Sequence, residues 1–139
     1  MSSNPSTPHT AADIVNEFLR LIMLPDPVAA SQYTALDLRI LFTGGRAMRQ
    51  PADCTQFNAS RYQWVKKRIE RTETVASGNS AETVVYSLGT LYGQWPDGKP
   101  FEGNRYVDRY VVKGGLITHM DVWNDSAEWL LVRAGLATL

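Results

Sequence analysis

The second half of the chain alternates. From Phe101 to Lys113 and again from Leu116 to Trp123, side-chain character switches residue by residue, and Gly114-Gly115 lies between the two runs. A period of two over that length is the signal of a β-strand, and a glycine pair between two such runs signals a tight hairpin. Two more alternating runs precede them, Glu70 to Ala76 and Thr83 to Trp95, parted by Ser77-Gly78-Asn79; Pro96-Asp97-Gly98 then turns the chain towards Phe101. This half predicts a meander of three or four antiparallel strands.

The first half is helical in period. Thr10 is a plausible N-cap with Asp13 three residues on, and Ile14, Val15, Phe18, Leu19, Leu21 and Ile22 recur at helical spacing until Pro25. Asp26-Pro27 opens a short second helix to about Tyr33. Leu38 to Phe42 predicts a short strand ending at Gly44-Gly45. Arg46 to Phe57 shows no clear period. A third helix is expected after Asn58 or Ser60, with Tyr62, Val65 and Ile69 as its stripe, Trp64 beside it, and Lys66-Lys67-Arg68 as a solvated basic face. Asp125 and Glu128 form a capping box before a last helical turn through Leu131. Helices first and strands after make the α+β class: a curved antiparallel sheet wrapped round N-terminal helices. Residues 1–10 are expected as a flexible tail and residues 11–139 as one domain.

Composition narrows the partners. Lys+Arg 14 against Asp+Glu 14 gives zero formal charge, so no field draws the chain to nucleic acid or anionic lipid. The lone Cys54 cannot form an intrachain disulfide, and the start carries neither a basic nor an apolar targeting region, so a cytoplasmic setting is expected. The sequons at Asn58 and Asn124 are discounted on the same ground. Leu21-Ile22-Met23-Leu24 is far too short to span a membrane. There is no phosphate loop and no nucleophile elbow. With His9 and His119 the only imidazoles, no metal and no cofactor is expected.

A two-residue turn at Gly114-Gly115 sets Lys113 opposite Leu116. Asp108 then faces Asp121, Tyr110 faces His119 and Tyr106 faces Trp123, all on one face. Two carboxylates so placed would share a proton or a cation and divide into an acid and a base. The same face could instead be a wet outer surface with the Val/Met face as core. A three-residue loop would move Asp108 to the face of Met120 and Val122.

The run Tyr106-Val107-Asp108-Arg109-Tyr110-Val111-Val112-Lys113-Gly114-Gly115-Leu116-Ile117-Thr118-His119-Met120-Asp121-Val122-Trp123 resembles the closing hairpin of SnoaL-like proteins. The order of elements from Ala11 to Leu131 is similar to that of the nuclear transport factor 2-like superfamily, which includes ketosteroid isomerase, scytalone dehydratase and the SnoaL-like polyketide cyclases. The resemblance implies a cone-shaped sheet, the cystatin-like roll, with a pocket on its concave face. It implies that Asp108 matches the isomerase's hydrogen-bond-donating aspartic acid and Asp121 the cyclases' acid/base aspartate. Phe18 and Phe42 fall where the isomerase carries its phenolic donor and general base, and neither can serve. The expected function is a cofactor-independent acid/base enzyme of isomerase, dehydratase or cyclase type, acting on a small, mostly apolar ring compound. Asp121 would be the base, His119 its partner and Asp108 the oxyanion donor. Tyr106, Tyr110, Trp123, Phe18, Phe42 and Trp64 would line the pocket, with Trp95 an addition. The alternative is a non-catalytic ligand-binding or assembly domain, its aspartates held by buried cations such as Arg46 or Arg105 and its cone filled. An open pocket of about 300 Å³ or more would separate the two. A homodimer is expected through a convex strip of Val107, Val111, Met120 and Val122.

Overall fold

The structure, a computed structural model, describes residues 10–139. The expected tail lies outside the described residues except for Thr10, which belongs to the first helix as its cap. Its hydroxyl accepts from the Asp13 amide at 3.0 Å, and the Asp13 carboxylate accepts from the Thr10 amide. That helix, α1 (Ala11–Ile22), buries Ile14, Val15, Phe18, Leu19 and Ile22 along one stripe. Asp26 caps α2 (Pro27–Ala30), with proline in its first turn. There follow β1 (Thr34–Phe42), β2 (Arg46–Met48), α3 (Pro51–Arg61), β3 (Trp64–Ala76), β4 (Glu82–Gln94), β5 (Pro100–Lys113), β6 (Leu116–Asn124) and α4 (Ser126–Arg133).

The six strands form one sheet in the order β2-β1-β6-β5-β4-β3. Every pairing is antiparallel except β1 with β6, where Ile40 lies beside Met120 in parallel. The ladder of β3 and β4 shifts register between Ile69 and Arg71, beside Gly89. A Cβ on Gly89 would come within 1.9 Å of the Arg68 carbonyl oxygen, so only glycine lets the strands approach this closely. The concave face closes on α1 through Leu38, Ile40, Phe42, Val85, Tyr110 and Met120. A second cluster joins Tyr62, Leu91, Trp95, Phe101 and Tyr106. Among the described residues no helix is long and apolar enough to cross a membrane.

The expected helix after Asn58 is not formed. The helix lies earlier, over Pro51–Arg61, and the chain is already a strand from Trp64. Pro51 presets the first helical φ, and Asp53 accepts from the amides of Arg49 and Gln50 at 3.0 and 3.1 Å, which fixes the start. The spacing of Val65 and Ile69 suits either period. The basic run is therefore not a solvated helix face. Lys66 donates to the Met23 carbonyl at 2.5 Å, and Arg68 lies over the Tyr92 ring and binds Glu102. Lys67 points between them into the cone.

The closing hairpin has the expected turn and a different register. Gly114 and Gly115 have φ of 58° and 78°, and Lys113 does face Leu116. Val112 still faces Ile117, but Val111 faces His119, so Thr118 is an extra residue, a β-bulge. The Thr118 hydroxyl donates to the Val111 carbonyl at 3.3 Å, which gives that group a partner inside the bulge. From there Asp108 faces Val122, Arg109 faces Asp121 and Tyr110 faces Met120. The Asp108–Asp121 pair is not formed, because one extra residue turns β6 over. Met120 and Val122 lie in the core, so they are not part of a convex strip.

Candidate functional site

Asp108 sits mid-strand on β5, between Ser87 of β4 and Val122 of β6, and is 0% exposed. A carboxylate so placed needs a counter-charge. Lys67 supplies it: alternation along β3 turns this side chain inward, and its Nζ lies 2.5 Å from Asp108 Oδ2 with only 10% of the side chain exposed. The same Nζ stands 4.5 Å above the Tyr106 ring, a cation–π contact. Tyr110 donates its hydroxyl to Asp108 Oδ2 at 3.0 Å, and the hydroxyls of Tyr106 and Ser87 share a hydrogen bond of 2.9 Å. Asp108 Oδ1 is buried with no partner.

Burial governs the phenols. It pushes the Tyr106 hydroxyl up to about 12, against the lowering hydrogen bond from Ser87. It pushes Tyr110 well above its ordinary value, and the charge of Asp108 adds to the effect. Both stay neutral donors throughout the physiological range. Cys54 is also buried, and desolvation lifts its thiol to about 12, so it is an inert wall.

Two voids adjoin this group. The inner one, about 30 Å³, touches Phe42, Cys54, Asn58, Lys67, Tyr106 and Val122. The outer one, about 150 Å³, lies between the end of α1, α3 and the start of β3 and is lined by Leu24, Thr55 and Trp64 among others. Met23, Asn58, Tyr62 and Val65 line both. Beyond Tyr62 its hydroxyl meets Ser126 Oγ at 2.5 Å, and Asn104 donates to that oxygen at 2.9 Å, leaving Asn104 Oδ1 without a partner.

The expected site residues divide between the two faces. Tyr106 and Phe42 line the inner void; Asp108 and Tyr110 are fully buried behind that lining. Phe18 is core, packed edge-on against Tyr110 at 6.0 Å between ring centroids. Trp64 stands at the rim of the outer void, edge-on to Tyr92, and Trp95 is stacked on Phe101 in the second cluster. Asp121, His119 and Trp123 project from the convex face. Asp121 lies 3.6 Å from Arg109, His119 Nδ1 is 3.0 Å from the Thr118 hydroxyl, and Trp123 is 54% exposed. Neither cation named for the filled cone reaches Asp108. Arg46 lies over Phe57, and Arg105 binds Asp125 on the outside. Lys67 was hidden in sequence by the helix expected there; alternation of Val65 and Lys67 against Lys66 and Arg68 is the signal that could have found it.

No family model matches the chain, and no curated protein matches it in sequence. Solved structures do match. An NTF2-like protein from Burkholderia thailandensis superposes with a TM-score of 0.69 at 17% identity, over 94% of this chain and 99% of the other. A Pseudomonas putida protein provisionally described as a polyketide cyclase gives 0.63 at 12% identity, over 87% and 96%. TerC, co-crystallized with polyporic acid, gives 0.64 at 14% identity, over 85% and 93%. The chain has the nuclear transport factor 2-like fold. Within this NTF2-like cone, the polar groups converge on one ammonium, one carboxylate and two phenols behind apolar walls. Such a set can hold a ligand oxygen and exchange a proton with it.

Proposed function

We propose that the cone binds a small, mostly apolar molecule bearing a carbonyl or hydroxyl oxygen, and that Lys67 and Asp108 perform acid/base chemistry on it. The observation that carries this reading is the Lys67–Asp108 pair beside the inner void. Buried ion pairs add little to stability over apolar packing, so one whose lysine lines a cavity and whose carboxylate keeps an unpartnered oxygen is a functional candidate. Lys67 would meet the ligand oxygen, and Asp108 would hold Lys67 in place and accept a proton. The reaction class is isomerisation, dehydration or cyclisation, which needs proton transfers and a dry wall. That TerC was co-crystallized with polyporic acid supports a small-molecule role for a cone of this kind. Asp121 and His119 have no part in it.

The second reading, a non-catalytic binding or assembly domain, is favoured by two observations: the voids of about 30 and 150 Å³ fall short of an open pocket of about 300 Å³, and a buried cation, Lys67, holds Asp108. Deuterium exchange separates the two. In D2O the protein is expected to speed deuterium uptake at the α-carbon of 2-tetralone, followed by NMR. Saturable 2-tetralone binding without faster exchange would favour the non-catalytic domain. Absence of binding, with no response to 2-naphthol either, would rule out a ligand site in the cone.

A homodimer through the convex face belongs to the same reading. Trp123 and Leu41 are exposed there beside the half-buried Val107, an apolar patch of the kind a second copy covers. A reducing, cytoplasmic setting suits the lone buried thiol of Cys54.

A further inference from the structure

We infer that Lys67 is a nucleophile that forms a Schiff base with a small apolar aldehyde or ketone in the cone. The inference rests on the ligand site proposed above and goes beyond it by giving the amine a covalent role.

The chain has four lysines, and the structure treats them differently. Lys99 and Lys113 are exposed, and Lys66 lines the outer void with its ammonium engaged by the carbonyls of Met23 and Leu24. Of the four, Lys67 is the one that touches the inner void. An ammonium has three N–H donors, and here one is directed at Asp108 Oδ2. The others face the Tyr106 ring and the void. The inner void is the size of one water molecule, which is also the size of a carbonyl group, and the outer void offers room for a ring behind it.

Asp108 completes the chemistry, because its Oδ2 is within proton-transfer distance of Nζ. The ammonium gives one proton to Asp108. The freed lone pair of Nζ forms a bond to the carbonyl carbon, the C=O π pair moves to oxygen, and that oxygen takes a proton from the nitrogen, giving a carbinolamine. Asp108 then protonates the hydroxyl, which leaves as water while the nitrogen lone pair forms C=N. The sum is ammonium plus carbonyl compound giving iminium plus water, with Asp108 again a carboxylate. A cation faces the buried carboxylate at the start and at the end, so the pair is never left as a lone charge. The iminium draws electrons from the neighbouring carbon more strongly than the carbonyl does, which serves the proton transfers of the proposed reaction.

Benzaldehyde with sodium cyanoborohydride tests this on the intact protein. Reduction fixes any imine as a benzyl amine, and peptide mass spectrometry locates it. Lys67 is expected to be labelled first, about tenfold faster than Lys99 or Lys113, because the cone holds the aldehyde against the amine. 2-Naphthol, an apolar ring with a hydroxyl and no carbonyl, should suppress labelling of Lys67 and leave the surface lysines unchanged. Lys67→Arg, which keeps the charge facing Asp108, should lose the fast label and leave labelling of Lys99 and Lys113 unchanged. Binding of 2-naphthol together with labelling confined to Lys99 and Lys113 would overturn the covalent role and leave the ligand site standing. Failure of 2-naphthol to bind, with Lys67 unlabelled, would overturn both.

Discussion

Removing the amine of Lys67 leaves Asp108 buried without its counter-charge. Lys67→Met is therefore expected to cost ~3–5 kcal/mol, and Asp108→Asn a similar amount, since it strands the ammonium. The double variant Lys67→Met/Asp108→Leu, which removes both charges, should recover most of that loss. Asp121→Asn is the contrast. It weakens only a half-exposed pair with Arg109, and should change stability by less than about 1 kcal/mol. Urea melts of the four variants at neutral pH check the set. A large loss in Asp121→Asn, or none in Lys67→Met, would contradict the placement of these charges.

At the scale of elements, Gly89 and Thr118 shape the cone. A methyl group at Gly89 would strike the backbone of β3, and backbone cannot rotate away as a side chain can. Gly89→Ala is expected to cost about 3 kcal/mol or more, read from thermal or urea melts. A change under 1 kcal/mol would mean that β3 and β4 are not held this close. Much of this level was legible in the sequence. The α1 stripe, β4, β5, β6 and the two-residue turn follow from periodicity and turn chemistry, which are local. What could not be read there is non-local. Thr118 is an ordinary strand residue, and nothing local says that it will be left unpaired. That single residue sends Asp121, His119 and Trp123 outward and leaves Asp108, Tyr106 and Tyr110 inside. The stretch from Tyr62 to Ile69 carries apolar residues at a spacing that fits both periods, and a helical period there predicts a solvated Lys67. Asp108 and two tyrosines of the site were legible; their counter-ion was not.

For the molecule as a whole, the buried phenols set an alkaline limit. Tyr106 ionises near 10 when unfolded and near 12 when folded, and Tyr110 is raised as well. A raised folded value means that folding favours the protonated phenol. That contribution is complete below pH 10 and is lost as pH rises from 10 to 12. Stability should fall across that window, and the 295 nm absorbance of the buried tyrosinates should appear only with unfolding; a hyperbolic titration of every tyrosine near pH 10 with the fold intact would contradict it. On the convex side, light scattering is expected to give twice the 15.5 kDa chain mass, and Trp123→Glu to return the monomer. A monomer at micromolar concentration in the unaltered protein would count against that interface. The ligand site itself is tested most directly by NMR. On titration with 2-naphthol, backbone and side-chain shifts are predicted to move at Asn58, Tyr62, Val65, Lys67 and Tyr106, while His119, Asp121 and Trp123 stay still. Shifts confined to the convex residues, or none anywhere, would contradict a site built on Lys67 and Asp108 inside the cone.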